Sequence, residues 1–282
     1  MPFRLSTEFD PSAPDLIAVL DDLALWSAPF GLKLLEVVRL RRGLLALDVG
    51  TGCGFPGLEL SQRLGTSSRV FGLDPWRAAL QRARAKQRFW RVSNLHLVSS
   101  RAETLPFGSA CFDLLVSNNG TNNVDDEART YAELARVAKP GAQMVLTMNL
   151  PGTMIEFYST LEAVLNELGR VDHVVRMREH IHEKRKPLDH LERVLDAAGF
   201  ALEAAHQDVF VLRFLDGTTM LQHFLIRLAF LESWVQLLAP EDVDAVFDRV
   251  EYELNDWARR HGQLELSVPW VCLDCRRRSN GR

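Results

Sequence analysis

Leu44-Leu45-Ala46-Leu47-Asp48-Val49-Gly50-Thr51-Gly52-Cys53-Gly54-Phe55-Pro56-Gly57 is the stretch on which the fold turns. Leu44 to Val49 is apolar apart from Asp48, the composition of a buried strand. Gly50, Gly52 and Gly54 then let the main chain turn sharply and let a ligand lie close against it. Pro56 to Leu64 reads as a helix with proline in its first turn. Free peptide N–H groups at such a helix start can face a carboxylate or phosphate.

The pattern continues outward from this loop. Arg69 to Leu73 is a strand ending at Asp74, Arg77 to Trp90 a helix and Leu95 to Val98 a strand. Phe112 to Val116 is the next strand, after the turn-rich Pro106 to Ala110. Asp126 to Val137 is a helix stopped by Lys139-Pro140-Gly141, and Met144 to Met148 is a fifth strand. Strand and helix alternating at this spacing predict an α/β fold, a doubly wound parallel sheet with helices on both faces and right-handed crossovers. Ligands in such sheets bind beyond the carboxyl ends of the strands, where the strand order reverses.

Two helical runs precede this core, Leu16 to Leu25 and Leu32 to Leu40. After Asn149 the rhythm changes. Thr153 to Leu168 and Leu188 to Ala198 read as helices, Leu202 to Phe214 as a strand, and Thr219 to Leu238 and Pro240 to Arg260 as long amphipathic helices. Leu264 to Leu273 closes as a strand-like run. The segment Val171 to Lys186 is polar and basic and is assigned to no element. The expected organisation is an N-terminal helical segment (1–43), a ligand-binding core (44–150) and a C-terminal part of the same domain (151–282). In that last part, helices inserted between the last two strands cap the sheet.

The chain has 282 residues, 47% of them hydrophobic, enough for a sizeable core. A formal net charge of −4 is the wrong sign for a dedicated nucleic-acid binder, and Arg39-Leu40-Arg41-Arg42 and Arg276-Arg277-Arg278 are too short to reverse it. Met1-Pro2-Phe3-Arg4-Leu5 opens no apolar signal-peptide core, and no stretch approaches the roughly 20 apolar residues that span a bilayer. Cys53, Cys111, Cys272 and Cys275 form no secreted disulfide framework in a chain of this size. The expectation is a cytoplasmic protein with neither a membrane nor a nucleic acid as partner.

The loop points to a nucleoside-type ligand. Asp48 suits a ligand ammonium. Asp74, 20 residues after Gly54 with Pro75 and Trp76 beside it, suits the two hydroxyls of a ribose. Arg101-Ala102-Glu103, after the third strand, falls beside an adenine ring. A lone glycine loop is weak evidence, but here strand, loop, helix, strand and terminal acid come in order. Gly52-x-Gly54-x-x-Gly57 also matches the dinucleotide fingerprint. Against a dinucleotide, the glycines begin at Gly50 and an acid precedes them by two, where a pyrophosphate gives it no role.

With these residues in view, the sequence resembles the class I S-adenosylmethionine-dependent methyltransferase superfamily. Asp48 to Gly54 matches its acidic-x-Gly-x-Gly-x-Gly motif, and Asp74 its ribose-binding acid. Arg101-Ala102-Glu103, Phe112 to Ser117 and Arg136 to Ala142 match its later motifs. The likeness covers about residues 44 to 150 and is strongest to the ubiquinone/menaquinone C-methyltransferases and malonyl-carrier-protein O-methyltransferases. It implies a Rossmann-like, seven-stranded sheet in the order 3-2-1-4-5-7-6, mostly parallel with an antiparallel last strand. It also implies S-adenosylmethionine as cofactor, held by Asp48, Gly50, Thr51, Gly52, Cys53, Gly54, Asp74, Pro75, Trp76, Arg101, Ala102, Glu103 and Asn118. Two features depart from that branch: the amide-rich run Asn118-Asn119-Gly120-Thr121-Asn122-Asn123, which is also not the Asn-Pro-Pro-aromatic motif of amino-group methylation, and the large cap.

Methyl transfer is an in-line displacement at a sulfonium carbon, so proximity and orientation do most of the work and the sequence assigns no catalytic base. Candidates for the acceptor pocket are Asn119, just past the fourth strand; His180, within His180-Ile181-His182-Glu183-Lys184-Arg185-Lys186; His223, among apolar residues; and Trp26. An asparagine-rich turn, a solvated charged stretch, a core histidine and core aromatics are the respective alternatives. Cys272-Leu273-Asp274-Cys275 has no second ligand pair, so no metal site is expected. The expected function is methyl transfer to a small-molecule or carrier-bound metabolite. An RNA or protein methyltransferase (Gly54-Phe55-Pro56-Gly57 resembles a ribosomal-RNA guanine-N7 group), a non-catalytic cofactor-binding regulator and a nicotinamide-dependent enzyme are the alternatives.

Overall fold

The structure is a computed structural model that describes residues 26–279 and, before them, 10, 12–14 and 16–18. The helix expected from Leu16 to Leu25 therefore lies largely outside the described residues. The second run forms α1, Ser27–Val37, beginning earlier than its apolar stripe.

The core follows the predicted alternation. It comprises β1 (Leu45–Val49), α2 (Gly57–Leu64), β2 (Arg69–Leu73), α3 (Arg77–Phe89), β3 (Leu95–Val98), β4 (Phe112–Asn118), α4 (Glu127–Val137) and β5 (Ala138–Asn149). β1 is an apolar run because both its faces are covered: Ala46, Leu47, Asp48 and Val49 are all buried. α2 buries Leu58, Leu60, Ser61 and Leu64, and α4 buries Thr130, Tyr131, Leu134 and Ala135, the stripes of helices lying on a sheet. α4 starts where Asp126 accepts the Arg129 N–H at 2.9 Å. β5 begins at Ala138, earlier than the expected Met144, because Phe112 pairs with Ala138 before a register shift at Leu114.

Chain order beyond β5 is α5 (Ile155–Glu167), α6 (Val171–Lys184), α7 (Leu188–Ala197), β6 (Phe200–Phe214), α8 (Gly217–Gln222), α9 (Phe224–Ile226), a π-helical turn (Arg227–Leu231), α10 (Glu232–Val235), α11 (Val243–His261) and β7 (Leu264–Arg277). The sheet order is β3-β2-β1-β4-β5-β7-β6. β1 pairs in parallel with β2 and β4, and β7 runs antiparallel to β5. This is the doubly wound, Rossmann-like arrangement, and its order reverses between β1 and β4.

Among the described residues the chain forms two compact units. The sheet unit spans 12–149, 186–208 and 270–279; the second unit spans 150–185 and 209–269, with residue 10. The chain passes between them after Asn149, after Arg185, and within β6 and β7. In the second unit α11 packs on α5 and α8.

Val171 to Lys186, assigned to no element from the sequence, is largely helical: α6 buries His173, Val174 and Met177 on one stripe. One expectation is corrected in this unit. Thr219 to Leu238 is not one helix. His223 has an extended backbone (φ −65°, ψ 134°), and Arg227–Leu231 is wound as a π-turn. A single-period reading smooths over both, since each displaces the apolar face by only about a residue. Among the described residues no helix is long and apolar enough to cross a membrane.

Candidate cofactor and active site

At the carboxyl ends of β1 and β4 the two turns touch backbone to backbone. A Cβ on Gly50 would stand 2.6 Å from the Gly120 Cα, and one on Gly120 would stand 2.4 Å from the Val49 carbonyl oxygen. Gly50 also has φ +78°, a left-handed conformation open to glycine. The Gly50 and Thr51 N–H groups both donate to the Leu73 carbonyl, at 2.8 and 3.1 Å, and tie the loop to the end of β2. The Ser117 hydroxyl donates to the Val49 carbonyl at 2.8 Å and accepts the Thr121 N–H at 3.2 Å.

Asp74 sits at the end of β2 with both carboxylate oxygens engaged. Oδ2 accepts the Gly52 N–H at 2.9 Å, and Oδ1 accepts the Trp76 N–H at 2.8 Å. Burial raises its pKa, and those two N–H groups offset part of the rise. Asp48 lies deeper, fully buried, with neither oxygen hydrogen-bonded. Burial drives its pKa up to about 7. The nearby Thr51 hydroxyl and Gly57 amide pull against the rise without reaching good hydrogen-bond geometry, and the Asp74 charge adds to it.

On the far side, Glu103 accepts the Asp125 N–H at 2.9 Å, and its carbonyl accepts the Arg129 Nε–H at 2.8 Å. Burial works to raise the Glu103 pKa, but backbone N–H groups and Arg101 outweigh it, and the net shift is downward. Arg101 pairs with Asp125. The amide of Asn118 is fixed at both ends: Nδ2 donates to the Ser27 carbonyl at 3.0 Å, and Oδ1 accepts the Thr147 hydroxyl at 2.8 Å. Asn119 is left-handed (φ +58°), and its Oδ1 accepts from Asn122 at 3.2 Å. Its Nδ2 is buried with no hydrogen-bond partner.

These groups surround a cleft of about 380 Å³ within the sheet unit. That volume falls in the range of small-molecule sites. Of the residues singled out in the sequence, Trp26, Gly50, Asp74, Pro75, Trp76, Arg101, Ala102, Glu103, Asn118 and Asn119 line it. Asp48, Thr51, Gly52, Cys53 and Gly54 are not in the lining, and Asp48 is enclosed beneath the loop. His180 and His223 belong to the second unit. Ser27, Val49, Leu73, Gly120, Asn123 and Val124 also line the cleft and were not foreseen. Gly120 alone had a legible signal, a glycine in the turn after a predicted strand.

Residues 47–146 match the methyltransferase domain family. The matched segment runs from the middle of β1 to β5 and takes in the glycine loop, Asp74 and Asn119. Among relatives, a demethylmenaquinone methyltransferase of Oceanobacillus iheyensis is 30% identical over 138 residues, 48% of this chain and 58% of that protein. The ubiquinone/menaquinone biosynthesis C-methyltransferase UbiE of Idiomarina loihiensis is 31% identical over 129 residues, 45% of this chain and 48% of that protein. The chain thus spans about half the length of the curated relatives it matches. Among solved structures, the YcgJ protein of Bacillus subtilis superposes with a TM-score of 0.59 at 18% identity, over 90% of this chain and 99% of that one, a likeness of fold.

A larger hollow of about 530 Å³ lies wholly in the second unit, between α5 and α11. Its walls include Ile155, Val164, Leu254 and Trp257, and its carboxylates are already engaged: Glu156 with Ser267, Glu167 and Glu253 with Arg249. The polar cleft at the switch point has an unpartnered buried donor, Asn119 Nδ2, and a glycine-lined floor that this hollow lacks.

Proposed function

We propose that the chain is an S-adenosylmethionine-dependent methyltransferase acting on a small-molecule or carrier-bound acceptor. The observation that carries this proposal is the junction of Gly50 and Gly120, where a side chain on either glycine would strike backbone, beside a carboxylate at the end of β2. Such a floor lets a ligand's aminoacyl chain lie on bare main chain, with its ribose at the acid.

The residues fit the cofactor. Each oxygen of Asp74 accepts one backbone N–H and keeps a second lone pair for a ribose hydroxyl. Ala102, Trp76 and Val124 offer apolar contact on the adenine side. The buried Asn119 Nδ2 has a donor to give, to the cofactor's carboxylate or to an acceptor oxygen. When bound, S-adenosylmethionine supplies an electrophilic methyl group, and the acceptor's electron pair takes the methyl as the carbon–sulfur pair returns to sulfur. The chain's part is placement. Thr147 and Ser27 hold the Asn118 amide in one orientation, and Asn119 is aimed by its left-handed backbone and by Asn122.

The names of the relatives favour a quinone-type ring as the acceptor, and the net charge of −4 weighs against RNA. Four free thiols are in keeping with a reducing compartment, the cytoplasm. The test is label transfer from S-adenosylmethionine tritiated at the methyl. Hydroquinones with an open ring position, total RNA and a protein extract serve as parallel acceptors. Label in the hydroquinones supports the proposal. Label in RNA or protein alone contradicts it. No label anywhere, with S-adenosylhomocysteine still bound, favours a non-catalytic regulator.

A further inference from the structure

The second unit buries a cation that no described residue neutralises. Arg185, just past the end of α6, is 4% exposed. Among the described residues no carboxylate stands within 4.0 Å of its guanidinium. Its Nε is buried without a hydrogen bond. Nη1 donates to the Tyr158 hydroxyl over a long 3.4 Å, and the guanidinium lies 5.4 Å from the centre of the Tyr158 ring.

The neighbours deepen the imbalance. Lys184 and Arg185 both push the half-buried His180 away from protonation, after burial itself. Glu183, the adjoining acid, is exposed and faces Lys184 at 3.9 Å. A buried guanidinium is ordinarily matched by an acid, because an unmatched one forfeits its hydration for nothing.

Tyr158 is equally buried and equally unfinished. Its oxygen accepts from the Trp234 indole N–H at 3.0 Å as well as from Arg185, which fills both lone pairs. Its own O–H has no acceptor among the described residues. Trp234 in turn stacks on Phe157 with ring centres 3.7 Å apart. A donor-rich pair, a guanidinium edge and a phenolic O–H, therefore sits on an aromatic cluster with no anion among the described residues to receive it.

We propose that Arg185 and Tyr158 form an oxyanion seat in the second unit for a planar aromatic ligand bearing a carboxylate or phenolate. The guanidinium supplies charge and its free Nε–H, Tyr158 supplies its O–H, and the neighbouring rings favour a flat apolar body. The seat does not depend on the methyl transfer proposed above.

The test is equilibrium binding to the full chain of naphthoate against its uncharged amide, and of nitrophenolate against nitrobenzene. Wild type should prefer the anion of each pair by about tenfold or more. Arg185→Met should erase the preference and, by removing an unmatched buried cation, raise the thermal midpoint of the ligand-free protein. Tyr158→Phe should weaken the anion several-fold while leaving the uncharged analogue unchanged. S-adenosylhomocysteine binding, measured alongside, should match wild type in both variants. Wild type with no anion preference would overturn the seat, as would Arg185→Met that keeps the preference or unfolds at a lower temperature. A preference for carboxylate alone or phenolate alone identifies the anion. Loss of S-adenosylhomocysteine binding in wild type with the preference intact would sink the methyltransferase proposal and leave the seat standing.

Discussion

A carboxylic acid enclosed by protein without hydrogen bonds keeps its proton far above the usual range, and Asp48 is such an acid. Its folded value of about 7 stands against an ordinary 3.8. A raised acid binds its proton more tightly when folded, so its stabilising effect is greatest below the unfolded value. That effect is lost as pH rises from about 4 towards 7, when the unfolded chain ionises freely and the folded one resists. At about 1.4 kcal/mol per pH unit, the loss approaches roughly 4 kcal/mol by pH 8. Asp48→Asn should flatten this part of the stability profile, gaining on wild type as pH increases; denaturant titrations across that window measure it, and parallel profiles would contradict it. At the loop itself, Gly50→Ala and Gly120→Ala each place a methyl group against backbone. Both should weaken S-adenosylhomocysteine binding at least about tenfold by calorimetry, with Gly50 the worse because of its positive φ. A contrasting Gly108→Ala, whose Cβ would meet nothing within 4 Å, should bind as wild type does.

At the scale of elements, period and punctuation made β1 to β5 legible, since each strand is an apolar run and each connecting helix shows one stripe. Asp126 is a cap readable from sequence, and its role is local: Asp126→Ala should cost about 1 kcal/mol in a denaturant melt through loss of the bond to the Arg129 N–H, with cofactor affinity retained. The helices past Asn149 were harder. α6 buries only His173, Val174 and Met177 among charged neighbours, so its stripe is thin. The break at His223 and the π-turn after it are backbone events that apolar spacing does not encode. In the cleft, Asp74, Arg101, Glu103, Asn118 and Asn119 were legible because they end strands or open the loops that follow. Asp48 was legible as important but its setting was not, since spacing cannot say that Gly57 and Thr51 close over it. Arg185 lay inside a basic run that reads as solvated; only burial sets it apart.

At the scale of the whole molecule, the family match falls on residues 47–146, within the sheet unit that holds the cleft, and the second unit is where this chain departs from a plain sheet. A ligand held by the sheet unit at about 100 times its dissociation constant adds about 2.7 kcal/mol of stability to whatever unfolds with that unit. S-adenosylhomocysteine should therefore move the sheet unit's unfolding transition, while NAD should leave it in place. The most direct measurement is a calorimetric titration of the full chain with S-adenosylhomocysteine, repeated with NAD and with Asp74→Ala. Saturable binding of S-adenosylhomocysteine at one site, weakened about tenfold or more in Asp74→Ala, with no heat from NAD, is the predicted result. Binding of NAD in its place, or S-adenosylhomocysteine binding indifferent to Asp74, would contradict the cleft at the β1–β4 junction as a methyl-donor site.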